Sequence, residues 1–317
     1  YSYATLGELF AWIIGWDLIL EYLLAVSAVS VGWSGYLVSF LEGFGIKLPT
    51  ALTAAPGALD NETTFFNLPA FLIVVFLTFL LSIGIRESKL ANNIMVVLKV
   101  AVVLLFVIVG AFYVKPENWT PFLPFGFGGV FKAAALVFFA YIGFDAVASA
   151  AEETKNPSKD LPKGILFSLG ICTLLYVIVS ALLTGIVPFQ DFKGHESAPV
   201  AYALQLVNQD WMAGIISLGA ILGMTTVMLV MLYGQTRVIF AMSRDGLMPK
   251  FFSKVHEKYR TPYAATWLIG LVAGLLGAFV PLQELAELVN MGTLAAFILI
   301  SIAVVVLRKT KPDVERK

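Results

Sequence analysis

Long apolar runs separated by short polar stretches set the pattern of this chain. Crossing a bilayer as a helix takes roughly 20 mostly apolar residues. Eight segments meet that pattern, at about 9–41, 68–85, 90–114, 129–150, 164–187, 212–242, 264–280 and 285–307. The first and sixth are long enough to tilt strongly or to extend beyond the membrane. The connection 42–67 is rich in Pro, Thr and Ala, and a short interfacial helix is expected at 199–208. One segment differs from the rest. Residues 130–150 read VFKAAALVFFAYIGFDAVASA, with Gly143 and Asp145 in the middle around Phe144. Broken backbone inside a membrane is tolerated only where protein or a water-filled cavity satisfies the freed groups. Breaks of this kind are where secondary transporters hold their cargo.

Composition supports the membrane reading. Hydrophobic residues make up 59% and charged residues 13%, where a soluble domain carries about 25% charged. Mean hydropathy is +0.87. The reading is an all-α polytopic membrane protein, a single transmembrane domain over 1–317. Net charge is zero, and no basic stripe suits nucleic acid. Cys172 is alone, so no disulfide framework exists. His195 and His256 are too far apart for a metal motif, and no nucleophile–base pattern is present, so neither an enzyme nor a cofactor is expected. The chain starts at Tyr1 without Met or a cleavage site, and reads as a start inside a longer protein.

Charge placement sets an orientation. With the N-terminus in the cytoplasm, sixteen of the 21 Lys and Arg fall in cytoplasmic segments. Only Lys47, Lys115, Lys132 and Lys193 fall outside, and Lys99 lies within a span. The bias predicts both chain ends in the cytoplasm and a plasma-membrane location.

Three stretches together resemble the amino acid–polyamine–organocation (APC) superfamily of transporters. They are FFAYIGFDAVASAAEETKNPSKDLPKGI at 138–165, GQTRVIFAMSRDGLMPKFFSKVHEKYRTP at 234–262, and the opening YSYATLGELFAWIIGWDLILEYLLAVSAVSVGWSGY at 1–36. The opening looks most like the cationic amino acid transporter branch. The resemblance implies the inverted-repeat five-plus-five transporter fold, with the eight spans here corresponding to family helices three to ten and the first two absent. It also implies that a broken first helix would hold the substrate carboxylate.

The break itself, Phe139, Ala140, Tyr141, Ile142, Gly143 and Phe144, is the expected substrate site. Carbonyls freed at the C-terminus of a half-helix carry partial negative charge and suit an ammonium group. Phe144 matches the family's gating aromatic; packing around a glycine kink is the structural alternative. Lys99 lies deep in NNIMVVLKVAVVLLF, about ten residues or ~15 Å from the span's start, too deep for easy snorkelling. An intramembrane lysine marks function by default and can bind and release a proton. In several proton-coupled relatives a lysine on the matching helix replaces a sodium ion. Thr225 and Thr226 are the hydroxyls expected to receive its ammonium, although such residues also bond their own helix.

In the first span, Glu21 is expected to pair with Lys99 or to attract a cationic substrate, with Tyr22 beside it. Ala25, Val26 and Val29 are expected to face the substrate. Asp17, one turn before Glu21, reads as an interfacial carboxylate. Asp145 is deep enough to act, whereas Glu152, Glu153 and Lys155 suit inner-gate pairs with Arg237, Arg244 or Arg86. The combined expectation is a proton-coupled amino acid symporter that works by alternating access, with an amino acid, a proton and the lipid bilayer as partners. An exchanger without proton coupling and a transporter-like sensor are the alternatives. Substrate identity, oligomeric state and any small membrane-protein partner are not legible.

Overall fold

The computed structural model describes residues 7–59, 63–84, 89–143 and 156–310. Among these residues the fold is helical throughout, with nine α-helices: α1 Glu8–Glu42, α2 Leu68–Ser82, α3 Lys89–Gly110, α4 Gly126–Val137, α5 Pro157–Ile186, α6 Pro199–Leu206, α7 Asp210–Arg244, α8 Tyr263–Phe279 and α9 Leu282–Thr310. Five of them, α1, α3, α5, α7 and α9, are long and apolar enough to cross a membrane. The helical segments in α2, α4 and α8 are shorter and apolar. The short helix α6 stands where one was expected.

Helix ends follow local chemistry. Asn67 caps α2 by accepting from the Ala70 N–H at 3.2 Å, with Pro69 in the first turn. Proline also opens α5 and α6. α5 starts earlier than its apolar run because Lys159, Asp160 and Lys163 extend it as polar turns. Conversely, α3 gives way after Gly110 to a 3-10 turn at Ala111–Tyr113. The largest revision concerns segment 129–150. There α4 ends at Val137, followed by a 3-10 turn at Phe138–Tyr141.

Side-chain contacts fix the helix directions. Gly15 faces Met242, Tyr22 faces Gly234 and Gly32 faces Met224, so α1 and α7 run antiparallel. Lys99 faces Gly223 and Val102 faces Gly219, which sets α3 antiparallel to α7. In α2 and α8, Phe71 faces Gly274 and Thr78 faces Gly270, again antiparallel. Ser27 donates to the Ala273 carbonyl at 2.9 Å and Ser30 faces Gly277, so α1 and α8 are parallel. Asp17 faces Gly292, while Leu285 packs with Ala28 and Val31, so α9 opposes α1. The chain therefore runs up and down, and the end of α7 and the loop after it put Arg244, Lys250, Lys254, Lys258 and Arg260 on one face. Lys47 and Lys115 lie on the other.

Beside the small cluster of Ala28, Val31 and Leu285, two larger apolar clusters hold the bundle. One joins Ile19 and Val26 of α1 to Val74 and Leu77 of α2, Met228 and Leu232 of α7 and Ile269 of α8. The other joins Tyr36, Phe106, Ile186, Leu204, Met212 and Ile216, which seals α1, α3, α5, α6 and α7 at the opposite end. Small residues at the crossings let the backbones approach closely, the means by which helices associate where lipid removes the hydrophobic drive. At Gly270 an added methyl would run into the buried Thr78 side chain. Gly270→Val is expected to lower stability by about 1–3 kcal/mol through overpacking. Thermal unfolding of the detergent-purified variant checks this; an unchanged midpoint contradicts the packing.

Candidate functional site

The break in α4 is held from two sides. The Asn290 side-chain amide of α9 donates to the Leu136 carbonyl at 2.7 Å. The Tyr176 hydroxyl of α5 donates to the Ala140 carbonyl at 2.8 Å, and its ring meets Tyr141 edge-on at 5.4 Å. The Ile142 N–H returns to the Phe139 carbonyl at 3.2 Å and closes the 3-10 turn. Ile142 then leaves the helical region at φ −58°, ψ 135°, and Gly143 takes φ +109°. That left-handed φ is costly for any residue with a Cβ. The carbonyls of Phe139 and Ala140 thus each accept one bond from the protein, and each oxygen keeps a second lone pair. Phe139 packs against the cluster of Ala28 and Val31 of α1 and Leu285 of α9, which anchors the break against the bundle. Phe144, Asp145, Glu152, Glu153, Lys155 and Arg86 lie outside the described residues.

A second polar centre joins α3, α7 and α1. Lys99 is ten residues after the first residue of α3 and eleven before its last, so it sits at mid-helix, ~15 Å from either end. Its ammonium donates to Thr226 Oγ1 at 2.6 Å, and the Thr226 hydroxyl donates in turn to the Gly223 carbonyl at 2.9 Å. Gly219 and Gly223 on α7 let α3 come this close. A Cβ at Gly223 would meet Cγ and Cε of Lys99 at 3.2 Å. Thr225, the neighbouring residue, turns to another helix: its oxygen accepts from Trp33 Nε1 at 3.0 Å and its hydroxyl donates to the Ile221 carbonyl at 2.7 Å. The two threonines therefore do not share one partner.

Glu21 is buried at 1% exposure in α1, on the stretch that faces Gln235, whose side-chain amide donates to the Ile19 carbonyl at 2.9 Å. Ala25 and Val26 are closed off from solvent, and Val26 belongs to the core between α1, α2, α7 and α8. Val29 packs at the edge of that core. Asp17 faces Gly292 of α9, and one of its oxygens is buried. Arg244 pairs with its neighbour Asp245 at 3.4 Å, and Arg237 lies over the Tyr233 ring at 4.4 Å.

Sequence reasoning missed Trp33, Tyr176 and Asn290. Each carries a donor inside an apolar helix, and a buried indole, phenol or amide donor needs a partner. That was the available signal. Tyr176→Phe is expected to cost about 1 kcal/mol by removing one bond to the break. Gly143→Ala is expected to cost more than about 1 kcal/mol through backbone strain. Thermal unfolding in detergent measures both, and equal stability for Gly143→Ala would contradict the observed backbone.

The chain matches the model of the family described as amino acid permease over residues 1–317. It is 69% identical over 316 residues to the branched-chain amino acid permease of Bacillus subtilis, which covers 100% of this chain and 68% of that protein. It is 56% identical over 315 residues to the methylthioribose transporter of the same organism, with coverage of 99% and 68%. It is 39% identical over 321 residues to the vacuolar cationic amino acid transporter 2 of Arabidopsis thaliana, covering 99% of this chain and 49% of that protein. The chain thus spans about two thirds of the length of the first two relatives and about half of the third. A polytopic helical bundle, a protein-held break in an apolar helix and these matches lead to one conclusion: this chain belongs to the amino acid permease family of membrane transporters.

Proposed function

We propose that the chain forms the greater part of a proton-coupled amino acid symporter of the plasma membrane. In this reading it crosses eight times within a five-plus-five inverted repeat, with its basic face and both ends in the cytoplasm. The observation that carries it is the Lys99–Thr226 hydrogen bond at 2.6 Å between two mid-helix positions. Taking an ammonium out of water is expensive, so a lysine kept there is a functional group by default. Protonated, Lys99 ties α3 to α7; neutral, it loses most of that attraction. A proton can therefore shift the balance between two access states by its different interaction with each.

The substrate ammonium group would sit at the second lone pairs of the Phe139 and Ala140 carbonyls and at the Ile142 carbonyl, at the negative end of the half-helix. Aliphatic amino acids are the favoured cargo. The high identity to a branched-chain permease supports this, as do the apolar Phe139 and the Ala28 and Val31 cluster against which it packs. A cationic substrate is the second reading, favoured by buried Glu21 and by the similarity to cationic amino acid transporters.

Uptake of labelled leucine, alanine and arginine into proteoliposomes tests both. Leucine accumulation driven by an inward proton gradient, with arginine near background, is expected. Lys99→Ala should remove the response to the gradient. Normal gradient-driven uptake by Lys99→Ala would end the coupling role, and arginine-only uptake would transfer the substrate assignment to the second reading.

A further inference from the structure

On the basic face, a cavity of about 180 Å³ opens between the end of α2, the last turns of α7 and the loop before α8. Its wall includes Tyr233, Thr236, Arg237, Arg260 and Thr261, with Leu81 behind them. Hydrogen bonds fix the loop that closes the cavity. Thr261 donates to the Ser82 carbonyl at 2.7 Å and ties the loop to α2. His256 organises the turn: its N–H donates to the Thr261 carbonyl at 2.8 Å, its carbonyl accepts from Arg260 at 2.9 Å, and Nδ1 accepts from the Lys258 N–H at 3.2 Å. That turn holds Arg260 at φ +56°, a left-handed conformation uncommon for a residue other than glycine. Arg237 is laid over the Tyr233 ring, 4.4 Å from its centroid.

Neither guanidinium pairs with a carboxylate among the described residues. The surrounding stretch adds to the imbalance. Between positions 233 and 262 there are six cations, Arg237, Arg244, Lys250, Lys254, Lys258 and Arg260, against Asp245 and Glu257, and Asp245 is already taken by Arg244. Two planar forks and nearby hydroxyls at a helix–loop junction suit a phosphate oxyanion. With the spans crossing as proposed above, the cavity, at the end of α2 and the last turns of α7, would lie at the depth of a lipid headgroup. Basic pockets between spans on the cytoplasmic side bind anionic headgroups.

We propose that this cavity is an anion site for a phosphate group, filled by the headgroup of an anionic phospholipid whose chains lie along the outer side of α2 and α7. The site is separate from the break and from Lys99, and does not depend on which amino acid is carried. Free inorganic phosphate presents the same chemistry and is the alternative source.

Native mass spectrometry of the detergent-purified protein, titrated with dioleoyl-phosphatidylglycerol, dioleoyl-phosphatidylcholine or inorganic phosphate, tests the site. Two variants probe the wall: Arg237→Gln, and Arg260→Asn, since Asn accepts a left-handed φ and keeps the turn. Lys47→Gln, on the other face, is the control. Phosphatidylglycerol is expected to bind in preference to phosphatidylcholine, with about fivefold loss for each arginine variant and none for the control. Phosphate binding with the same variant sensitivity, without phosphatidylglycerol preference, upholds the anion site and makes its source soluble. Unchanged binding of both phosphatidylglycerol and phosphate in both arginine variants, or an equal loss in Lys47→Gln, overturns the proposal.

Discussion

A primary ammonium at the middle of an apolar helix, at the α3–α7 crossing, is the constraint that organises this part of the protein. α7 offers Lys99 an oxygen within hydrogen-bonding distance, which offsets part of the cost of holding an ammonium there. That oxygen is within reach because Gly219 and Gly223 remove side chains from the α3–α7 crossing. Their four-residue spacing puts both on one helical face, the arrangement that lets spans pack backbone to backbone. Thr226 in turn donates to the Gly223 carbonyl, so the acceptor is oriented by the same turn that creates the space. Packing and electrostatics are one design here: the glycines make the crossing tight, and the tight crossing makes the charge bearable.

The break in α4 obeys the parallel rule for backbone. Once the α-helix stops at Val137, its last carbonyls have no partner within the helix. Asn290, Tyr176 and the 3-10 turn supply partners at Leu136, Ala140 and Phe139. α9 and α5 therefore report directly on the break. Movement of either would change its hydrogen bonding. α1 links the two centres. Its Ala28 and Val31 belong to the cluster that takes Phe139, and its Trp33 reaches Thr225.

Much of this was legible in the sequence, for identifiable reasons. Apolar runs of span length gave the helices, because α-helix is the way a lone segment satisfies its backbone in lipid. Lys99 announced itself by its cost, and Gly143 by interrupting an apolar run. Adjacent residues were harder. Thr225 and Thr226 are one residue apart, about 100° around the helix, and only the placement of α7 decides that one meets Trp33 and the other Lys99. Val26 shows the same limit. A small apolar residue one turn past Glu21 reads equally well as pocket lining or core, and the packing of α2, α7 and α8 puts it in the core. The early end of α4 was hidden because FFAY is as apolar as the helix before it. The choice among amino acids was not legible, because no isolated side chain encodes it.

The most direct test of the central claim is proton movement itself. Vesicles carrying the protein and an internal pH dye, without an imposed gradient, would receive an inward gradient of leucine. The account predicts internal acidification that follows leucine entry and is absent in Lys99→Gln although leucine still binds. Leucine entry with no change in internal pH, or equal acidification in Lys99→Gln, would contradict it.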